Sequence, residues 1–200
     1  KPIQFPRIQG ADVCGIIVEV GADVDKSRIG ERVITDNWLR DINDPANKNK
    51  AGYFGSECDG GYAEYTIINQ HNALAVNTEL SDAELATFSC SYSTAEGMLT
   101  QANVTDKDTI LIPGASGGVG GALVQLAKLR GARVIAMASE AKHQAVTALG
   151  ADRVLPRQPQ DLADTLADET VTVIADIVGG PDWPQWIDCL DRGGRYVCSG

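Results

Sequence analysis

The stretch Thr109–Ser139, TILIPGASGGVGGALVQLAKLRGARVIAMAS, decides how the rest of the chain is read. Its opening, Thr109–Pro113, is apolar and β-branched and predicts a strand. Five glycines then fall between Gly114 and Gly121. Gly118–Arg130 predicts a helix, Gly131 stands where a helix C-cap belongs, and Ala132–Ala138 predicts a second strand. Within the loop, Ala115-x-Gly117-x-x-Gly120 has the G-x-G-x-x-G spacing, with Ala in the first place and Gly114 before it to supply turn freedom. A loop that receives a dinucleotide needs a tight turn, bare backbone for the pyrophosphate, and close helix–strand packing. The diphosphate then sits over the helix N-terminus, where free N–H groups and the helix dipole favour anions. Strand, loop, helix and second strand are the context this motif requires. Gly114, Ala115, Ser116, Gly117, Gly118, Val119 and Gly120 are therefore candidate cofactor-binding residues. The competing reading is a glycine-rich turn that packs tightly and holds nothing.

Working outward from the loop, strands and helices alternate. After the second strand come Glu140–Leu149 (helix), Arg153–Leu155 (strand), Asp161–Ala167 (helix), Val171–Val178 (strand), Pro184–Leu190 (helix) and Gly194–Ser199 (strand). Gly150 is a second C-cap candidate. Alternation at this spacing predicts a doubly wound parallel sheet. Upstream, Ser81 with Glu84 three residues on is a capping-box pattern opening a helix, and STAEGMLTQAN (93–103) reads as another. Residues 1 to about 90 carry short strand signals instead: Cys14–Gly21, Ile29–Thr35 and Gly60–Ile68. Between the last two, Arg40–Gly61 is polar and predicts a long loop.

Composition narrows the function classes. Lys+Arg is 17 against Asp+Glu 27, a net charge of −10. Without a basic patch, nucleic acid and anionic membrane are poor partners. Five cysteines, odd in number and widely spaced with no C-x-x-C pair, argue against a disulfide framework and for a reducing compartment, with a cytoplasmic protein as the expectation. No apolar run approaches the ~18 residues of a membrane span. The chain starts without Met and ends on strand-like sequence, as expected for part of a longer protein.

The cofactor choice is read at the second strand's end. NAD binders usually place Asp or Glu there for the ribose 2′-hydroxyl. Here the residues are Ala138 and Ser139, neither acidic, with Lys142 able to neutralise a 2′-phosphate and Glu140 the nearest acid. NADP is the expected cofactor, with NAD the alternative.

GADVCGIIVEVG, IGERV, GGYAEY, STAEGML, ILIPGASGGVGGALVQLAK, LGADRV and GGRYVCSG occur in the order seen in the medium-chain dehydrogenase/reductase superfamily, and nearly the whole chain resembles its quinone-oxidoreductase-like branch. The resemblance implies an α/β fold: a partial GroES-like β-rich catalytic domain, residues 1–92, then a partial Rossmann cofactor-binding domain, residues 93–200. Short-chain dehydrogenases share the glycine loop, but no tyrosine here has Lys four residues on. By the resemblance Thr94 lies near the nicotinamide carboxamide. Ile177–Gly180, with Val178 and Gly179, lies near the nicotinamide ribose. The resemblance also implies a small-molecule substrate and, at full length, a homo-oligomer.

Zinc-dependent members of this family use Cys, His and Cys. The resemblance puts the first ligand before Lys1, the His-Glu pair on Ala11-Asp12 and the last Cys on Cys90, so the His is absent. Catalytic zinc needs three good protein ligands, which makes zinc the weaker expectation. The clustered cysteines of a structural zinc lobe are missing, Cys58 alone standing in that loop, and His71 and His143 read as ordinary surface residues. The expected reaction is hydride transfer from NADPH to a quinone, enone or related carbonyl compound. Its alternatives are a zinc alcohol dehydrogenase and a nucleotide-binding protein without catalysis. Tyr92 stands either as a hydrogen-bond donor to the substrate carbonyl oxygen or as packing.

Overall fold

The computed structural model describes residues 4–44, 46–47, 51–181 and 183–199. The chain divides into two compact units, residues 1–90 and 91–200.

In the first unit, β1 (Cys14–Ile16), β2 (Arg32–Thr35) and β5 (Ala73–Ala75) form an antiparallel sheet ordered β1-β2-β5. β3 (Trp38–Leu39) and β4 (Gly52–Tyr53) make a two-stranded ladder, with Trp38 against Tyr53. The segment expected to be one long loop is thus pinned at Gly52–Tyr53 and by a bridge from Phe54 to Cys58; Pro45 and Lys48–Lys50 lie outside the described residues. The expected strand over Gly60–Ile68 is not formed. Its first N–H groups, from Gly60, Gly61 and Tyr62, donate to the carbonyls of Ile8, Gly10 and Gln9 at 2.8–2.9 Å. Tyr62 and Ile67 stand 78% and 94% exposed, so the alternation there finds no sheet face to bury. The expected capping box is present: Ser81 Oγ accepts from Glu84 N–H, and the Glu84 carboxylate accepts from Ser81 N–H, opening α1 (Asp82–Ala86). A π-helical turn follows over Phe88–Tyr92.

The second unit is a five-stranded parallel sheet, β10-β9-β6-β7-β8: Leu190–Cys198, Val171–Asp176, Thr109–Ile112, Arg133–Ala138 and Arg153–Pro156. Consecutive residues of each central strand serve opposite faces. Ile110, Ile112, Val134, Ala136, Val173 and Ala175 join one cluster, which includes Ala95 and Leu99 of α2 (Ser93–Gln101) and Leu123 of α3 (Gly118–Leu129). It also takes Val146 of α4 (His143–Ala148). Leu111, Ile135, Met137 and Ile174 join the other, under Leu162 of α5 (Leu162–Thr165) and Trp186 of α6 (Trp183–Asp188). Burial on both faces is why these strands read as unbroken apolar runs.

In the first unit the strand expected over Cys14–Gly21 ends at Ile16, past which the Ile17 N–H donates to the Glu31 carbonyl and the Ile17 carbonyl accepts from the Gly30 N–H of the turn before β2. In the second unit the expected boundaries hold to within a few residues, with two physical exceptions. Glu140–Leu149 begins as a 3₁₀ turn, Glu140–Lys142, before α4. The last strand begins at Leu190 rather than Gly194, because an irregularity between Leu190 and Arg195 restores its register with β9. Gly131 and Gly150 close α3 and α4 with φ of +83° and +110°.

Candidate cofactor site

β6 and β9 are neighbours, yet the chain leaves β6 toward β7 and β8 on one side and reaches β10 on the other. That reversal opens a crevice at the carboxyl ends of β6 and β9, the place where such sheets bind ligands. Two loops border it, 113–117 after β6 and 177–180 after β9. They touch: a Cβ on Gly114 would come within 2.8 Å of Val178 Cγ2, and Gly114 has φ +72°. Ala115 N–H donates to Met137 O at 3.0 Å, and Gly117 N–H to Gly114 O at 3.2 Å, so the turn folds back on the sheet edge.

The glycines of the loop answer to different demands. Gly120 is buried, and a Cβ there would lie 2.7 Å from Ala115 Cα, so helix α3 meets the turn backbone to backbone. Gly118 faces the Ser91 hydroxyl, 2.6 Å from where its Cβ would be. Gly117 differs. Its φ is −84°, open to any residue, and a Cβ would meet only Gly114 O at 3.6 Å. Nothing inside the protein asks for glycine there.

Ser116, Gly117 and Gly118 are exposed at the tip, whereas Ala115 and Gly120 are buried. Gly117 is the N-cap of α3, and no side chain caps that end. The first N–H of the helix ladder to find a partner is that of Gly121, on Gly117 O at 2.8 Å. The N–H groups of Gly118, Val119 and Gly120 precede it and have no acceptor one turn back. An uncapped helix end under bare backbone fits a diphosphate.

Asp176 sets the opposite wall, and the sequence reading passed over it. It is 1% exposed, at the end of β9. Its Oδ1 accepts from the N–H groups of Val178 and Gly179 at 2.8 and 3.0 Å, and Oδ2 accepts from the Tyr196 hydroxyl. Burial and this bond to a carboxylate hold the Tyr196 phenol well above its ordinary range. The buried carboxylate thus fixes the turn that carries Val178 and Gly179. An acid at a strand end followed by two glycines was the available signal.

At the end of β7, Ala138 is buried, Ser139 and Lys142 are exposed, and Glu140 is exposed beside them. His143, expected to be an ordinary surface residue, is half-buried with Nε2 3.1 Å from Ala138 O, anchoring the strand tip. Thr94 lies half-buried in the first turn of α2. Tyr92 packs against the core of the second unit, and its hydroxyl accepts from Gln125 Nε2 at 2.9 Å, which favours the packing reading.

In the first unit Asp12 and Cys90 do come together: Asp12 Oδ1 accepts from the Cys90 N–H at 2.9 Å. Among the described residues, no group of three His, Cys, Asp or Glu is placed to hold a metal. Ala11 stands where the resemblance expects His, and an alanine side chain offers a metal no ligand. Cys58 borders a separate small cavity with Arg40 and Phe54.

A parallel sheet with a glycine loop at its switch point, preceded by a small antiparallel β unit, defines a two-unit class of dinucleotide-binding protein. Residues 1–78 match the alcohol dehydrogenase GroES-like domain, and residues 118–200 match the zinc-binding dehydrogenase domain. The chain belongs to the medium-chain dehydrogenase/reductase superfamily. It is 30% identical to an acryloyl-coenzyme A reductase of Metallosphaera sedula, over 99% of this chain and 61% of that protein. It is 27% identical to a quinone oxidoreductase of Pongo abelii, over 100% of this chain and 56% of that protein. An alcohol dehydrogenase candidate from Sinorhizobium meliloti 1021 superposes with a TM-score of 0.91 at 45% identity, covering 99% of this chain and 56% of that one. The chain thus spans about three fifths of the relatives it matches. No helix among the described residues is long and apolar enough to cross a membrane.

Proposed function

We propose that this chain is the greater part of an NAD(P)-dependent oxidoreductase that transfers hydride from NADPH to the electron-poor C=C of a quinone, enone or related carbonyl compound. Its two domains are a partial catalytic domain, 1–92, and a partial cofactor domain, 93–200. The observation that carries the reading is Gly117: glycine at the tip of the loop, with ordinary φ and open space where a Cβ would stand. An outside group approaching the bare backbone supports this reading of that glycine.

Residues 114–120 would hold the diphosphate, Ser139 and Lys142 the ribose end, and Thr94, Val178 and Gly179 the nicotinamide end. Bound there, the nicotinamide supplies the hydride, and the protein orients it and excludes water. Negative charge then grows on the substrate carbonyl oxygen and needs a hydrogen-bond donor. An enone or quinone asks for no metal to polarise it, and a final proton can come from solvent. The acryloyl-coenzyme A reductase and quinone oxidoreductase likenesses support this substrate class.

The test is NADPH oxidation by the full-length protein against a panel of quinones, enones and aldehydes, with and without a chelator. Turnover on conjugated acceptors that survives chelation is expected. Turnover confined to aldehydes and lost on chelation would establish the zinc alcohol dehydrogenase instead. Affinity without turnover would establish a binding protein. Titration calorimetry should also show tighter binding of NADPH than NADH; equal or reversed affinities reject the NADP assignment.

A further inference from the structure

The tip of β7 offers a 2′-phosphate only Ser139 and Lys142, on a surface that also carries Glu140. One strand over, the register places Pro156 of β8 directly beside Ala138. Neighbouring strands lie about 4.8 Å apart, so the residue after Pro156 leaves the sheet at the same edge. That residue is Arg157, and it is exposed. Arg130, Arg133, Arg153 and Arg195 of this unit are each tied to a carboxylate. Arg157 has no hydrogen-bond or ion-pair partner among the described residues. Arg192 is unpaired too, but it sits on β10, the opposite edge strand.

Arg157 also borders a cavity of about 160 Å³ at this edge, floored by Met137, Leu162 and Trp186 and rimmed by Gln158 and Gln185. Met137 precedes Ala138 on β7 and faces the other side of the sheet, so the cavity lies under that face at the β7–β8 edge that Arg157 borders. Asp161, the nearest acid in the following turn, has its Oδ1 on the Asp164 N–H as the cap of α5.

We propose that Arg157 is the specificity-determining residue for the cofactor: its guanidinium, with Lys142, grips the ribose 2′-phosphate of a dinucleotide held by the glycine loop. This rests on the cofactor reading above and deepens it. An unpaired guanidinium offers a planar fork that matches phosphate oxygens and needs no displacement of an existing partner.

The experiment measures dissociation constants of the full-length protein for NADPH, NADH, 2′,5′-ADP and 5′-AMP. The proteins are the wild type, Arg157→Gln and Arg157→Lys. Arg157→Gln should weaken NADPH and 2′,5′-ADP roughly tenfold or more, the scale of one charge-assisted bond. NADH and 5′-AMP should bind as before, and Arg157→Lys should recover part of the loss. Equal weakening of all four ligands, or none, overturns the proposal while leaving the dinucleotide reading intact. A wild type that binds none of them overturns both.

Discussion

At the scale of the residue, position 117 separates folding from binding. Gly117 caps α3 with extended backbone and open space at its Cβ. Aspartate is a better N-cap than glycine, and its charge favours a helix N-terminus. Gly117→Asp should therefore melt no lower than the wild type, yet lose dinucleotide binding, because a carboxylate would stand against the diphosphate. Calorimetry on the folded variant checks both halves, and retained binding would show that the loop holds something else. Gly120→Ala is the contrast: a methyl group 2.7 Å from Ala115 Cα forces the helix off the turn, with a cost of about 1–3 kcal/mol in denaturant unfolding. Asp176→Asn keeps the shape but not the charge that holds two N–H groups and the Tyr196 hydroxyl. It should cost about 1–3 kcal/mol and weaken cofactor affinity through a loosened 177–180 turn.

At the scale of the element, the amino ends of the strands are bound by carboxylates, away from the glycine loop. Asp108, at the start of β6, is buried, which works against its charge. The Thr105 N–H, the Thr172 hydroxyl on β9 and the Arg195 guanidinium on β10 outweigh this and hold its carboxyl below the usual range. Arg133 and Arg153 do the same for Glu169, joining β7 and β8 to the turn before β9. A carboxyl whose pKa is lower folded than unfolded stabilises the fold fully above its unfolded value, about 4. That contribution is lost as pH falls through and below this range. Melting temperature should therefore drop on acidification from pH 5 to 3. Asp108→Asn should flatten the drop while lowering the melting temperature at pH 7, and an unchanged acid slope would discount the cluster. The central helix is held differently. Leu123 of α3 is fully buried against the sheet, and Leu123→Ala should cost about 2–5 kcal/mol at any of these pH values.

For the molecule as a whole, the two units contrast in how they are filled. The second buries two apolar layers on either side of a sheet. The first buries few large side chains among its described residues, chiefly Val33, Phe54 and Leu85, and leaves Phe5, Tyr62, Tyr65 and Ile67 exposed. The proposed cofactor site lies in the well-packed unit, where a rigid sheet edge can hold backbone donors in place. Of the expected zinc positions, Ala11 offers no ligand and Asp12 serves the Cys90 backbone. Under the proposed zinc-free reaction, a chelator should leave turnover on conjugated acceptors unchanged at full length.

The sequence by itself determined the alternation of strands and helices from Thr109 onward, the glycine loop, the capping box at Ser81 and the non-acidic pair Ala138 and Ser139 at the tip of β7. Each of these is local: a period, a cap or a spacing within one turn of chain, and the physics that selects it acts over the same distance. Only the tertiary structure decided the rest. It left Gly60–Ile68 without a strand partner, because pairing is a property of two segments. It brought Val178 onto Gly114, 64 positions apart, and made Asp176 the post on which that wall hangs. It also set Pro156 beside Ala138, and so Arg157 at the same sheet edge, since strand register, which no local pattern encodes, decides which residues share an edge.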